Sequence, residues 1–198
     1  MFATLVEVLD YKPALEIISL AAPIGLLDEY RRGGRSCDKE ARRLLGWRRG
    51  AGVMSAPPRP ALTAPNEAMP AVATGISAVA WLQLAKVREV ASEIQPYLQR
   101  TVFEVHPDLS FFQLNDDQPL LYSKRSTLGR KERTELLEVR LPGVDRILDA
   151  HPGRARAWHL LDAAACLWTS RRIAARAAIR IPADPEWDAE GLRMEIVR

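Results

Sequence analysis

Residues 102–115, Val-Phe-Glu-Val-His-Pro-Asp-Leu-Ser-Phe-Phe-Gln-Leu-Asn, hold the densest set of chemically capable side chains in this 198-residue chain. They read as a short buried strand running into a helix, with the carboxylate of Glu104 set among apolar neighbours. A charge in such a place is costly unless it meets a cation, a metal or a cluster of donors. Metal ligation and a structural ion pair with Arg or Lys are both open for Glu104. His106 alternates with Glu104 along the strand, so the two share a sheet face. It could transfer a proton or act as a ligand, or simply close the strand before Pro107.

Asp162 is the second candidate carboxylate, in the first half of a long helix expected over about residues 154–178. His159 precedes it by about one helical turn, on nearly the same face. Asp162 could equally be solvated or paired with an arginine. Lys124, Arg130 and Arg133 stand where a loop and a helix start could face phosphate, and a solvated polar face explains them almost as well. Arg171, Arg172, Arg176 and Arg180 form a basic stripe that suits a solvated face or contact with nucleic acid. Cys37 and Cys166 lack metal-ligand spacing, and both read as reduced thiols in a cytoplasmic setting. The sequence contains no Gly-rich phosphate loop, Ser-His-Asp order or zinc spacing.

The elements that must position these groups alternate between strand and helix. Residues 2–10 have helical spacing that Lys12-Pro13 ends, and Leu15 to Leu20 is an apolar run short enough for a buried strand. Ser36, with Lys39-Glu40 downstream, predicts a capped helix ending at Gly46. Residues 47–70 are rich in Pro, Ala and Arg and predict a long loop. A helix is expected from Ser77 to about Glu93, a strand over 101–105, a helix opened by Pro107-Asp108, a polar loop over 115–127 and a helix from Arg130 to Val139. A last short strand is expected near Gly191. The pattern is α/β, but only two of the strands are convincing.

Composition sets wide bounds. The chain is 47% hydrophobic and 27% charged, with a formal charge of +3 and a pI near 9.1, as expected of one globular domain spanning residues 1–198. The basic excess permits nucleic-acid contact without requiring it. No segment has the length and apolarity of a membrane span, and the N-terminal residues lack the pattern of a signal peptide.

Several blocks in order carry a resemblance to a known family. They include Pro23-Ile24-Gly25-Leu26, Cys37-Asp38 with Glu40-Ala41-Arg42-Arg43-Leu44-Leu45-Gly46, and Glu104-Val105-His106-Pro107-Asp108. Pro119-Leu120, Ser123-Lys124, Leu161-Asp162-Ala163 and Trp168-Thr169-Ser170-Arg171-Arg172-Ile173 complete the set. The chain resembles the domain of unknown function 429 family, whose members are regarded as predicted ribonuclease H-like nucleases. The resemblance implies a ribonuclease H-like fold and, where that fold is catalytic, carboxylates around two Mg²⁺ or Mn²⁺ ions roughly 4 Å apart. It makes Glu104 the strand ligand and Asp162 the helix ligand.

Departures from the family pattern limit what the resemblance implies. The family opens on a strand bearing Asp-Gly, and this chain has no counterpart, so the first strands of the sheet are expected to be missing and the domain to be N-terminally truncated. Ala21 stands at an acidic position, and Trp158-His159 replace paired acids. A two-metal centre is therefore not expected from this chain alone. The expectation is a metal-dependent phosphodiester hydrolase in impaired form. The alternatives are a non-catalytic nucleic-acid or protein binding module, or a truncated gene product. The strand at 15–20 is expected to leave an open apolar edge that invites self-association.

Overall fold

A computed structural model describes residues 2–63, 78–149 and 157–198. The helices are α1 (Leu5–Leu9), α2 (Ser36–Gly50), α3 (Ala78–Leu82), α4 (Leu84–Glu93), α5 (Pro107–Leu114), α6 (Thr127–Arg140), α7 (Val144–Asp149) and α8 (Ala157–Ala174). The strands are β1 (Ile18–Leu20), β2 (Val102–Glu104), β3 (Arg180–Trp187) and β4 (Arg193–Val197). β1 and β2 pair in parallel, with Leu20 opposite Glu104, while β3 and β4 form an antiparallel hairpin. A parallel bridge between Val105 and Val197 joins the two pairs in the order β1-β2-β4-β3. The chain is thus mixed α/β, with helix outweighing strand.

The hairpin corrects the expectation of two convincing strands. Pro182 and Pro185 hide β3 in the sequence, because proline cannot donate to a ladder. The register shifts between Ile181 and Glu186, so the prolines fall where pairing lapses. Two shorter elements were also unexpected: α7, and a 3₁₀ turn over Pro96–Arg100 that delivers the chain into β2. The helix expected from residue 77 to 93 is interrupted at Gln83, whose carbonyl accepts from the amides of Lys86 and Val87 and starts α4. Ser77, residues 64–70 of the Pro/Ala-rich loop and the start of the helix expected at 154 lie outside the described residues. Of the same loop, Trp47 to Gly50 extend α2, and Arg59–Leu62 make a 3₁₀ turn.

The helix starts follow from local chemistry. Thr4 caps α1 by accepting from the Glu7 amide at 3.3 Å, and the Ser126 hydroxyl caps α6 by accepting from the Gly129 amide at 3.0 Å. Pro107 occupies the first position of α5, where its missing N–H is not needed. α2 bends at Gly46, whose φ of +68° only glycine adopts without strain.

Apolar clusters hold these parts together. Phe111, Leu137, Leu161 and Trp168 join α5, α6 and α8. Cys37, Leu45, Leu109 and Ile196 seat α2 and α5 against the hairpin. Ile24, Val90, Val102 and Leu192 pack around β2. Polar ties lock the same junctions: Ser110 and Thr169 share a buried hydrogen bond of 2.8 Å, and the Ser170 hydroxyl donates to Ser19 of β1 at 2.7 Å.

One close approach yields a stability prediction. A Cβ added at Gly129 would lie 2.0 Å from the Ser123 carbonyl oxygen, at the cap that positions the Lys124 loop. Gly129→Ala is expected to cost about 2–3 kcal/mol through forced backbone movement, measured as a lowered midpoint in urea unfolding. An unchanged midpoint would contradict the tight cap.

Candidate functional site

The buried charge of Glu104 is answered by an arginine. Arg35, 1% exposed, stands immediately before α2 and reaches across to the end of β2. Its Nη2 donates to Glu104 Oε1 at 2.6 Å and its Nη1 donates to Oε2 at 2.8 Å, a bidentate pair. The Ile24 amide donates to Oε2 at 2.6 Å. The same guanidinium donates to Asp38 Oδ1 at 2.7 Å from Nη2 and at 3.2 Å from Nε, and to the Ile24 carbonyl at 3.0 Å. Asp38 also accepts from the amides of Arg35 at 3.0 Å and Ala56 at 3.2 Å, so one carboxylate fixes a helix start and a loop.

Local backbone makes room for this cluster. Gly34 has φ of +75°, and a Cβ there would meet Asp38 Oδ2 at 2.5 Å. The Gly33-Gly34 turn therefore lets Asp38 fold back over the first turn of α2, where a carboxylate also suits the helix dipole. Burial opposes the charge on Arg35, but Asp38, Cys37 and Glu104 outweigh it and hold the guanidinium well above its ordinary pKa. Burial pushes the Glu104 carboxyl above its ordinary value, against the pull of Arg35 and the Ile24 amide. Burial raises both thiols as well, Cys37 far above its ordinary value and Cys166 to about 12, so neither is a ready nucleophile at neutral pH.

A second polar cluster lies next to the first. Lys124 Nζ donates to Asp162 Oδ2 at 2.6 Å, bringing together a residue expected on phosphate and one expected on metal. Asp162 Oδ1 and His106 Nδ1 are both buried and have no hydrogen-bond partner. Burial raises the Asp162 carboxyl while Lys124 pulls it down, and Asp108 and Arg133 also act on it. Burial lowers the pKa of His106, with Asp108, Lys124, Asp162 and Asp38 as its charged neighbours. Asp38 thus acts on both Glu104 and His106 and links the two clusters.

Arg133 departs from the phosphate-facing expectation. It is 1% exposed and lies 5.1 Å over the Phe111 ring, donating to the carbonyls of Tyr122 at 3.1 Å and Gly129 at 3.0 Å and to Asp108 at 3.4 Å. The guanidinium ties the 122–129 turn to the start of α5 and cannot meet a ligand from there. Arg130 stays half-exposed, with its guanidinium on the Arg125 carbonyl at 3.0 Å and the Thr127 hydroxyl at 3.3 Å. In the basic stripe, Arg171 and Arg176 are exposed, whereas Arg172 stacks 4.9 Å over Trp168. Arg180 is not part of the helix at all: it opens β3 and pairs with Glu195.

These placements test whether a divalent cation fits the expected ligands. The position beside Glu104 is filled by a guanidinium that neutralises its charge and uses both oxygens. Glu104 and Asp162 have separate partner sets, Arg35 for one and Lys124 for the other. Among the described residues no three His, Cys, Asp or Glu side chains are grouped so that they could hold a metal ion. Glu104 and Asp162 as placed do not fit a shared Mg²⁺ or Mn²⁺.

Sequence reasoning missed Arg35 and Asp38. It chose Ser36 as the cap of α2, whereas the capping carboxylate is Asp38, and the Ser36 hydroxyl is buried without a partner. The available signal was Gly33-Gly34-Arg35 followed by an acid at the third helical position, a turn that leads into an N-terminal carboxylate cap.

The low pKa of His106 gives a pH prediction. Its folded-state value lies below the ordinary 6.5, so the unfolded chain takes up the proton first as the pH falls. The contribution is fully present above 6.5 and is lost as the pH falls through the folded value, with a slope of at most about 1.4 kcal/mol per pH unit. His106→Asn is expected to flatten the stability profile between pH 7 and 5 in urea titrations. Parallel profiles for the two proteins would contradict the buried, neutral imidazole.

The fold and the site define a mixed α/β protein built around a buried Arg-carboxylate cluster at the end of a parallel strand pair. The chain belongs to the family described as protein of unknown function (DUF429), whose model matches residues 1–187. β4 lies beyond the matched stretch. Comparison with curated proteins finds no match, and comparison with solved structures finds none. Among the described residues no helix is long and apolar enough to cross a membrane.

Proposed function

We propose that this chain is a ribonuclease H-like protein that binds nucleic-acid backbone through its basic helices and does not cleave it unaided. The observation that carries this reading is the Arg35 guanidinium locked onto Glu104 and Asp38. It gives the strand carboxylate a structural counter-ion where phosphodiester hydrolysis would need a divalent one. The parallel β1–β2 pair, with Glu104 at its end, supports the ribonuclease H-like reading, in which this sheet holds the later strands of that fold. Exposed Arg125, Arg171 and Arg176, with half-exposed Arg130, support contact with phosphate. Such contacts hold a strand in place without reading its bases. In the same reading β1, whose one partner among the described strands is β2, offers its other side to a second copy of the chain.

A second reading, metal-dependent hydrolysis completed by groups that this chain does not supply, is favoured by the free ligand atoms Asp162 Oδ1 and His106 Nδ1. Fluorescence anisotropy of labelled single- and double-stranded 20-mers, followed by gels with Mg²⁺ or Mn²⁺, separates the two readings. The first predicts saturable binding that weakens roughly forty-fold between 50 and 200 mM salt if three phosphates are neutralised. It also predicts weaker binding for Arg171→Glu/Arg176→Glu and intact oligonucleotides throughout. Absence of binding would sink it. Metal-dependent cleavage abolished by Asp162→Asn would establish the second reading instead.

A further inference from the structure

A groove of about 490 Å³ lies between residues 26–31 and the β3–β4 hairpin, remote from the contacts of Glu104 and Asp162. Its lining is unusual for a surface with no assigned role. Tyr30 and Trp187 are 56% and 62% exposed, and the carboxylates of Asp28 and Glu29 stand beside Tyr30 at the solvent surface. Glu186 is paired with Arg31 at 2.6 Å, but Glu29 forms no ion pair. Arg193 lies 5.9 Å over the Trp187 ring, so this indole already carries one cation on a face. Two open aromatic rings beside unneutralised carboxylates make a surface for a cation and repel phosphate.

The chain itself indicates which cation. Beside the groove, Pro57-Pro58-Arg59-Pro60 docks in extended form, with Pro58 at φ −70° and ψ 154°. The Arg59 amide donates to the Leu27 carbonyl at 2.7 Å. Its guanidinium lies 2.6 Å from Asp188, 2.5 Å from Glu190 and 3.7 Å from Asp28. A proline-flanked arginine, held by main-chain contact and acids, is therefore a ligand that this surface accommodates in cis. The Asp28 carboxylate, 60% exposed, lies at the boundary between the occupied acids and the open groove.

We propose that the groove binds an arginine-bearing, proline-containing extended segment of a partner protein. The guanidinium lies between Tyr30 and Trp187 and against Asp28 and Glu29, and the prolines lie along the aromatic faces. Extended proline-rich segments suit such a surface because they are already ordered before they bind and stack on aromatic side chains. This inference is independent of the nucleic-acid reading, since it uses the acidic side of the molecule.

Calorimetric titration of the full chain with a synthetic Ala-Pro-Pro-Arg-Pro-Pro-Ala peptide tests it. Saturable binding is expected, weakened at least about tenfold when the peptide arginine is replaced by glutamine, equivalent to about 1.4 kcal/mol. Tyr30→Ala and Trp187→Ala should each weaken it about tenfold, and Glu29→Lys should abolish it while circular dichroism stays unchanged. Tyr30 and Glu29 lie off the hairpin, so they test the groove even if Trp187→Ala disturbs β3. No saturable binding, equal binding of the glutamine peptide, or full displacement by a single-stranded oligonucleotide would overturn the proposal, the last in favour of a base-stacking surface.

Discussion

Arg35→Met is expected to destabilise the protein by about 3–5 kcal/mol, a large share of the stability of a domain of this size. The substitution keeps much of the side-chain volume but leaves Glu104 and Asp38 buried without their shared counter-ion. It also frees the Ile24 and Gly25 carbonyls that the guanidinium satisfies at 3.0 and 3.2 Å. Glu104→Gln should be milder, because Arg35 keeps Asp38 and the amide still accepts from the Ile24 N–H. Chemical unfolding of the three proteins should rank them wild type, Glu104→Gln, Arg35→Met in falling stability. A wild-type-like midpoint for Arg35→Met would mean that the buried carboxylates take their compensation from elsewhere.

Arg133→Met is expected to cost about 2–4 kcal/mol, again through groups left unpaired. Its loss would strip the carbonyls of Tyr122 and Gly129 of a donor and Asp108 of a cation, and would remove the stacking over Phe111. The prediction separates two roles for one residue. A phosphate-binding arginine would change oligonucleotide affinity and its salt dependence while leaving unfolding unchanged. A buried tie does the reverse, so urea midpoints and anisotropy titrations of the same variant give opposite answers.

The need of Glu104 was legible in the sequence, but its solution was not. A carboxylate within Val-Phe-Glu-Val predicts burial, yet Arg35 lies 69 positions away and is chosen by tertiary packing. The chain offers 28 Lys and Arg residues, and no local pattern singles out one of them. Lys124 and Asp162 were both marked by type and position, but their union across 38 residues converts two expected ligands into one ion pair. Periodicity revealed α6 and the buried face of α5 because those signals are local. β3 stayed hidden because its prolines fall where the ladder lapses, and the order of the strands depends on one long-range bridge, Val105 to Val197. Asp38 was missed for a related reason: a serine at the helix start drew the cap assignment, while the aspartate two positions later does the capping.

These observations give the molecule a consistent division of charge. Its buried acids are held by arginines from distant segments, its exposed arginines lie on α8 and around the start of α6, and exposed acids gather at the groove beside β3. The central claim is that an arginine, not a metal, neutralises Glu104. The most direct test is the melting temperature of wild type and Glu104→Gln across a titration of Mn²⁺. The account predicts that Mn²⁺ leaves the wild-type melting temperature unmoved, with Glu104→Gln lower by the same margin at every concentration. A rise of several degrees in wild type that Glu104→Gln abolishes would contradict it and place a metal ion at the end of β2.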